Sequence, residues 1–372
     1  MRRLRNFLPF RKKPKSTLIA QLEGDSSSSK DTLAAIAELS QVVKNNPDAI
    51  EIYLALGNLY RSQGEIERAI HIRNTLIARP TLDPSFKAQA LYELGLDYKR
   101  GGFLDRAEQT FDQARGIIGD DPALLEEQAS LAASGRDFER AARYFGQLNK
   151  PIPQSHYLVE EAKALWQKDE QAKSEQLLKS ALRIHPGSVE AWLEIMIRDY
   201  QQGQWDKLGN DFKKGLRKTE PHLRFILLEG LVQHLFQAYD TAEIFSPLLQ
   251  DSAGQALLSV IRKQPPDILL FYYAAWIDLR IGNREEAISW LKQCTELDAD
   301  FWPARLELLS LLADTQELSQ ELKDQLDFFL VRARQIKKFI CTQCGLRRER
   351  LFFDCPRCRS WHSISFLKIL TN

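Results

Sequence analysis

The sequence predicts an all-α protein: antiparallel helix pairs repeated into a superhelical solenoid, followed by a small C-terminal metal-binding module. Three observations carry this expectation. Helical periodicity runs from about residue 31 to 336 with almost no strand signal. Within that region, short stretches superimpose on one another without gaps. Finally, "CTQCGLRRERLFFDCPRC" (341–358) places four of the chain's five cysteines in eighteen residues. The expected domains are a basic, flexible N-terminal tail (1–30), a repeat region (31–336) and the four-cysteine module (337–372).

The tail begins "MRRLRNFLPFRKKPK". Its first fifteen residues carry seven Arg or Lys and no acid, interleaved with Leu4, Phe7, Leu8 and Phe10. No apolar core follows the charges, so this is not a secretory signal. Two readings stay open: a solvated basic tail, or a peripheral membrane contact. In the second, each basic residue near anionic lipid gains about 1 kcal/mol and the apolar side chains bury in the interface. No stretch reaches eighteen uninterrupted apolar residues. The longest candidate, Ile268 to Ile277, is about half a membrane span, so no transmembrane helix is expected. Without an export signal the expected location is the cytoplasm, whose reducing conditions favour metal ligation over disulfides at paired CxxC motifs. The net charge of +1 gives no overall pull towards nucleic acid, so any electrostatic preference must be local.

In the repeat region, "IYLALGNLYRSQGEIERAI" (52–70) overlays "LYELGLDYKRGGFLDRAEQTF" (91–111) when Gly57 is laid on Gly95. Tyr60 then meets Tyr98, Gly64 meets Gly102 and Ala69 meets Ala107. "FYYAAWIDLRIGNREEAISWL" (271–291) fits the same template through Ala275, Gly282 and Ala287. Two antiparallel helices in about 34 residues make the tetratricopeptide pattern. Small residues are expected where paired helices cross, and large ones such as Tyr53, Leu56, Leu91 and Leu94 between neighbouring units. Gly64, Gly102, Gly203 and Gly282 are expected to permit the tight connections. Pro47, Pro122 and Pro186 are expected where units end. Weaker copies lie at 123–148, 156–186 and 189–216, after a half-unit at 31–47. Residues 220–265 are helical in pattern but degenerate as repeats. Helices near 302–312 and 315–336 close the array, the second with a stripe of Leu318, Leu322, Leu326 and Leu330. A repeat array needs such a cap over its last apolar face.

No nucleotide loop, HExxH or nucleophile elbow is present, and no catalytic residue is assigned. The aromatic residues are expected in the solenoid core. Cys294 reads as a small buried apolar residue, and His71, His156, His185, His222 and His234 share no metal-ligand spacing.

Cys341-x2-Cys344 and Cys355-x2-Cys358 form two knuckles ten residues apart. Facing knuckles bring four thiolates into a tetrahedral site for one Zn2+ or one iron, with Zn–S bonds of about 2.3 Å. Four protein sulfurs leave no open position, so the site is structural or at most electron-transferring. Zinc is favoured over iron because no redox partner is in sight. A module of some 35 residues cannot bury enough apolar surface to fold alone. Bound metal supplies on the order of 10 kcal/mol, and Phe339, Phe352, Phe353 and Trp361 are the expected mini-core. His362 is redundant as a fifth ligand and is read as a residue on the surface or behind the ligands. Arg and Lys dominate the module's surroundings, which suits acidic protein, phospholipid headgroups or nucleic acid.

A tetratricopeptide array running into "FICTQCGLRRERLFFDCPRCRSWHSI" resembles the lipopolysaccharide assembly protein B family, whose members end in a rubredoxin-like CxxCG…CPxCxxW module. The matching residues are Cys341, Cys344, Gly345, Cys355, Pro356, Cys358 and Trp361. "LALGNLYRSQGEIERAIHIRNTLI" (54–77) also looks like that family's first full repeat. The resemblance covers about residues 31 to 372. It implies a non-enzymatic adaptor at the cytoplasmic face of the inner membrane that regulates lipopolysaccharide synthesis. Its implied partners are a membrane AAA+ protease and the deacetylase committing precursors to lipid A. The family pattern starts with a transmembrane helix, where this sequence has its basic tail. Either the tail anchors the protein peripherally, or the client differs. Two other functions compete: a nucleic-acid-binding zinc ribbon on a repeat scaffold, and an electron carrier with iron at the cysteines.

Overall fold

A computed structural model describes residues 29–46, 49–237, 251–313, 318–334 and 336–368. The expectations for residues 1–28 and for Pro47 lie outside these residues. The described residues contain seventeen α-helices and three short strands. The fold is all-α and tetratricopeptide-like, with a small C-terminal four-cysteine module, as the sequence predicts. The chain divides into two compact units, Met1–Glu161 and Ala162–Asn372.

In the first unit, α1 (Ser29–Asn45) precedes three helix pairs. They are α2 (Ile50–Ser62) with α3 (Ile66–Ile77), α4 (Pro84–Arg100) with α5 (Leu104–Ile118), and α6 (Pro122–Ser134) with α7 (Phe138–Gln147). Helix α8 (Pro151–Gln167) contains the division between the units. Ala69 and Ala107 are fully buried, as small residues at the helix crossings should be. A Cβ on Gly95 would sit 2.4 Å from the Phe111 ring, and one on Gly57 2.6 Å from the Arg73 guanidinium carbon. The helices therefore approach as closely as glycine alone permits. Pro122 stands where one helix pair ends and the next begins, as the first residue of α6. There its missing N–H costs nothing, and the Asp121 carboxylate caps the free N–H groups of Ala123 and Leu124.

One turn recurs in both units. The N–H of Glu65, Phe103, Asp137, Glu170, Gln204 or Asn283 donates to the carbonyl five residues earlier, at 2.8–3.0 Å. This closure needs a left-handed residue just before the donor. Gly64, Gly102, Gly203 and Gly282 supply it with φ of 68° to 87°. In the weaker copies Arg136 (φ 61°) and Asp169 (φ 62°) adopt it instead.

The second unit continues with α9 (Gln171–Ile184), α10 (Val189–Gln201), α11 (Trp205–Lys218), α12 (Phe225–Gln237), α13 (Asp251–Ile261), α14 (Ile268–Arg280) and α15 (Arg284–Leu297). Helices α16 (Trp302–Ala313) and α17 (Gln320–Arg334) follow. The longest apolar run of the sequence lies in α14, whose Leu270 to Ala275 are all buried. A helix apolar all round belongs at the centre of a core, and α14 occupies that place. Cys294 is fully buried with its thiol near the Ile268 carbonyl at 3.4 Å, and burial pushes that thiol up to about 12. The leucine stripe of α17 is covered only in part: Leu330 is buried and Leu326 half-buried, whereas Leu322 is 47% exposed.

The C-terminal sheet has the order β2-β1-β3, all antiparallel, from β1 (Phe339–Cys341), β2 (Arg347–Arg348) and β3 (Ile364–Phe366). Its register sets Phe339 opposite Phe366 and Cys341 opposite Ile364. The alternation of strand side chains therefore sends Phe339, Cys341, Ile364 and Phe366 inward, and all four are buried.

Candidate metal centre

The two knuckles are built alike. In the first, the Gly345 N–H donates to the Cys341 carbonyl and the Cys341 N–H to the Leu346 carbonyl, both at 2.9 Å. In the second, the Arg359 N–H donates to the Cys355 carbonyl at 2.8 Å and the Cys355 N–H to the Ser360 carbonyl at 2.9 Å. Each turn passes through a left-handed residue, Gly345 (φ 71°) and Arg359 (φ 58°). This repeated local geometry turns both sulfurs of each CxxC to one side.

All four Sγ atoms lie within 4.8 Å of one another. Cys341 and Cys358 are 3.7 Å apart, and Cys344 and Cys355 3.6 Å. A tetrahedron with 2.3 Å metal–sulfur bonds has edges of about 3.8 Å, so the cluster is of the right size and donor chemistry to hold one ion. His362 is not part of the cluster.

Hydroxyl groups adjoin two of the sulfurs. Ser363 Oγ lies 3.2 Å from Cys341 Sγ, and Ser360 Oγ 2.8 Å from Cys358 Sγ. Burial alone would push the Cys341 thiol up; the Ser363 hydroxyl and the N–H groups of Cys344 and Gln343 outweigh it and bring it down to about 5. The Ser360 hydroxyl holds Cys358 below the usual thiol range.

The module's apolar side chains belong to the core of the helices. Phe339 stacks on Phe225 (centroids 6.0 Å, planes 16° apart), and Phe366 meets Phe225, Tyr272 and Phe301 edge-on or tilted at 5.9–6.2 Å. Trp302 Nε1 donates to the Leu367 carbonyl at 2.9 Å. The expected mini-core is thus shared with the helices. Phe339 and Phe352 are buried, but Phe353 and Trp361 are half-buried. A short module lacks the volume to surround its own aromatic residues, and α12, α14 and the start of α16 complete it. His362 is also not a surface residue. Its side chain is 8% exposed and its Nε2 lies 2.9 Å from Oε1 of the buried Glu190 on α10.

Sequence reasoning missed Glu190, Ser360 and Ser363. Nothing in residue spacing links Glu190 to a histidine 172 positions away. It also missed Arg73, which is fully buried and paired with Asp97 (3.4 Å) while Arg61 binds the same carboxylate at 2.8 Å. A signal existed there: the overlay of Gly57 on Gly95 lays Arg73 on Phe111, a charge on a core aromatic.

Fold and site define a class: a tetratricopeptide-repeat protein carrying a C-terminal four-cysteine module. The tetratricopeptide-repeat family matches at residues 29–82 and 271–301. Lipopolysaccharide assembly protein B of Escherichia coli (strain K12) is 21% identical over 337 residues, which cover 87% of this chain and 82% of that protein. The protein of the same name from Haemophilus influenzae is 24% identical over 330 residues, covering 84% and 78%. The resemblance to the lipopolysaccharide assembly protein B family therefore extends along most of the chain. Among solved structures, a tetratricopeptide repeat protein from Parabacteroides merdae covers 70% of this chain at 20% identity, with a TM-score of 0.36.

Proposed function

We propose that this protein is a non-enzymatic adaptor in lipopolysaccharide assembly, and that Cys341, Cys344, Cys355 and Cys358 bind one structural metal ion, zinc in preference to iron. The observation that carries the metal reading is the sulfur cluster, whose 3.6 and 3.7 Å edges suit a tetrahedral ion. All four positions are then filled by protein, and no site remains for a substrate. The adaptor reading is supported by two relatives named for lipopolysaccharide assembly that align with more than four-fifths of the chain. Helical repeats present extended surfaces for proteins rather than reaction pockets.

In its specific form, the repeats present the lipid A-committing deacetylase to a membrane AAA+ protease. The metal module fixes the C-terminal helices of the array, and residues 1–15 contribute a peripheral membrane contact. Among the described residues no helix is long and apolar enough to cross a membrane. The test is the half-life of that deacetylase in native cells with and without this protein. Marked stabilisation on deletion is expected; an unchanged half-life removes this client.

A second reading, nucleic-acid binding, is favoured by the exposed Arg347, Arg348, Arg350, Arg357 and Arg359 around the knuckles. Phosphate contacts release counterions and give steeply salt-dependent binding. Absence of DNA or RNA binding at low salt eliminates it.

A further inference from the structure

We infer that the loop Ser360–Ser363 couples metal retention to the seating of the module on α10: Ser360 and Ser363 touch two ligand sulfurs while His362, between them, holds the buried Glu190. This rests on the proposal that the four cysteines bind a metal.

The loop has two sets of contacts. Towards the cysteines, Ser363 Oγ is 3.2 Å from Cys341 Sγ and Ser360 Oγ 2.8 Å from Cys358 Sγ, so one sulfur of each knuckle has a hydroxyl partner. The two hydroxyls also touch each other at 2.9 Å. Thr342, inside the first knuckle, donates its N–H to the Ser363 carbonyl at 2.7 Å. The loop is thereby bonded to both knuckles, and its conformation depends on their being held together.

Towards the helices, the His362 backbone is left-handed (φ 50°) and its N–H donates to the Phe353 carbonyl at 2.8 Å. A histidine pays for this conformation, and here the conformation accompanies contact between Nε2 and Glu190 Oε1 at 2.9 Å. Glu190 is 3% exposed and stands in the first turn of α10. The Ser188 hydroxyl lies 3.5 Å from Oε2 of the same carboxylate, and losing the His362 contact removes one hydrogen-bond partner from a buried polar group, which is costly. His185 flanks the His362 ring at 6.1 Å, and the His222 ring nitrogen approaches the His362 carbonyl at 3.5 Å. Three of the chain's six histidines meet at this seam.

An ion that clamps the two knuckles fixes Ser360 and Ser363, and these fix the residue between them. His362 is then a positioning residue: it touches no sulfur in the cluster, yet it joins the metal site to α10. Such a linkage is reciprocal: the free energy by which bound metal strengthens the Glu190 contact is the free energy by which that contact strengthens metal binding.

The test uses the full-length, zinc-loaded protein and the rate of zinc release to an excess of a chromophoric chelator. Glu190→Gln, which keeps size and removes the charge, is expected to release zinc about tenfold faster, the scale of outer-shell substitutions at metal sites. Ser363→Ala is expected to act in the same direction, and the double variant to fall short of the product of the two effects. Release from Glu190→Gln at the wild-type rate, beside faster release from Ser363→Ala, overturns the coupling. A measurement on the unsubstituted protein is independent of how the variants fold. Hydrogen exchange over residues 189–201 should quicken when zinc is stripped, while residues 84–118 of the first unit stay unchanged; equal exchange at 189–201 overturns the inference. A wild-type chain that takes up no zinc removes the metal reading itself. Client turnover enters none of these readouts.

Discussion

Gly95 and Arg136 show how far a single side chain decides a repeat. Alanine at position 95 would put its Cβ 2.4 Å from Phe111, a fully buried ring that would have to shift. Gly95→Ala should therefore lower stability by about 1–3 kcal/mol, the usual cost of overpacking, read as an earlier denaturant midpoint. Arg136 is the opposite case. It is exposed and stands in a left-handed turn that glycine fills in four equivalent turns. Arg136→Gly should raise stability by about 1 kcal/mol, since the left-handed penalty is of that size; an unchanged or lower midpoint would show that the Arg136 side chain contributes more than its backbone costs. Arg73 was legible only through the repeat register. Its guanidinium fills the place of a core phenyl ring and sits against Asp97, whose carboxyl burial pushes up against the pull of Arg73 and Arg61. Arg73→Leu keeps the volume but leaves Asp97 with one cation, and a loss of about 3–5 kcal/mol is expected from breaking such a buried pair.

The four-cysteine module is the element whose sequence said most about itself and least about its surroundings. Spacing alone located both knuckles, because a CxxC turn is local and its hydrogen bonds close within six residues, Cys341 to Leu346 and Cys355 to Ser360. The helix pairs were legible for the same reason: their turns and crossing residues recur at fixed offsets. Spacing could not reveal that Phe339 stacks on Phe225 or that Trp302 binds the Leu367 carbonyl, since those contacts join segments 65 or more residues apart. The arrangement has a measurable consequence. If the ion holds the knuckles, stripping it should loosen the sheet and uncover Phe225, Phe339 and Phe366 together. The metal-free protein, or Cys355→Ser, is expected to bind a hydrophobic dye while retaining most of its helical circular dichroism. Dye binding equal to that of the zinc-loaded protein would mean that the aromatic core holds the module without metal.

Across the molecule, the repeats and the cysteines were readable as architecture, while function came from resemblance, because surface positions of a repeat array carry no fixed offsets that distinguish a partner site from a solvated face. The surroundings of two histidines in the second unit predict one property that its sequence did not reveal, a dependence of stability on pH. Burial lowers the pKa of His185, with the neighbouring His362 acting in the same direction and Glu190 and Glu220 opposing it. Burial likewise lowers His234, aided by Lys163 and opposed by Glu194. Both imidazoles thus resist protonation in the folded chain and accept it freely in the unfolded one, near pH 6.5. Where the unfolded state binds more protons, stability rises with pH. The contribution is complete above about pH 6.5 and is lost as pH falls from there towards the lower folded-state values. Denaturation midpoints at pH 7.5, 6.5 and 5.5 should fall in that order, and acid release of the metal would move them the same way. The double variant His185→Asn with His234→Asn separates the two causes, because it retains every cysteine. A shallower pH slope in the double variant assigns the difference to these histidines; parallel slopes assign the dependence to the remaining titratable groups.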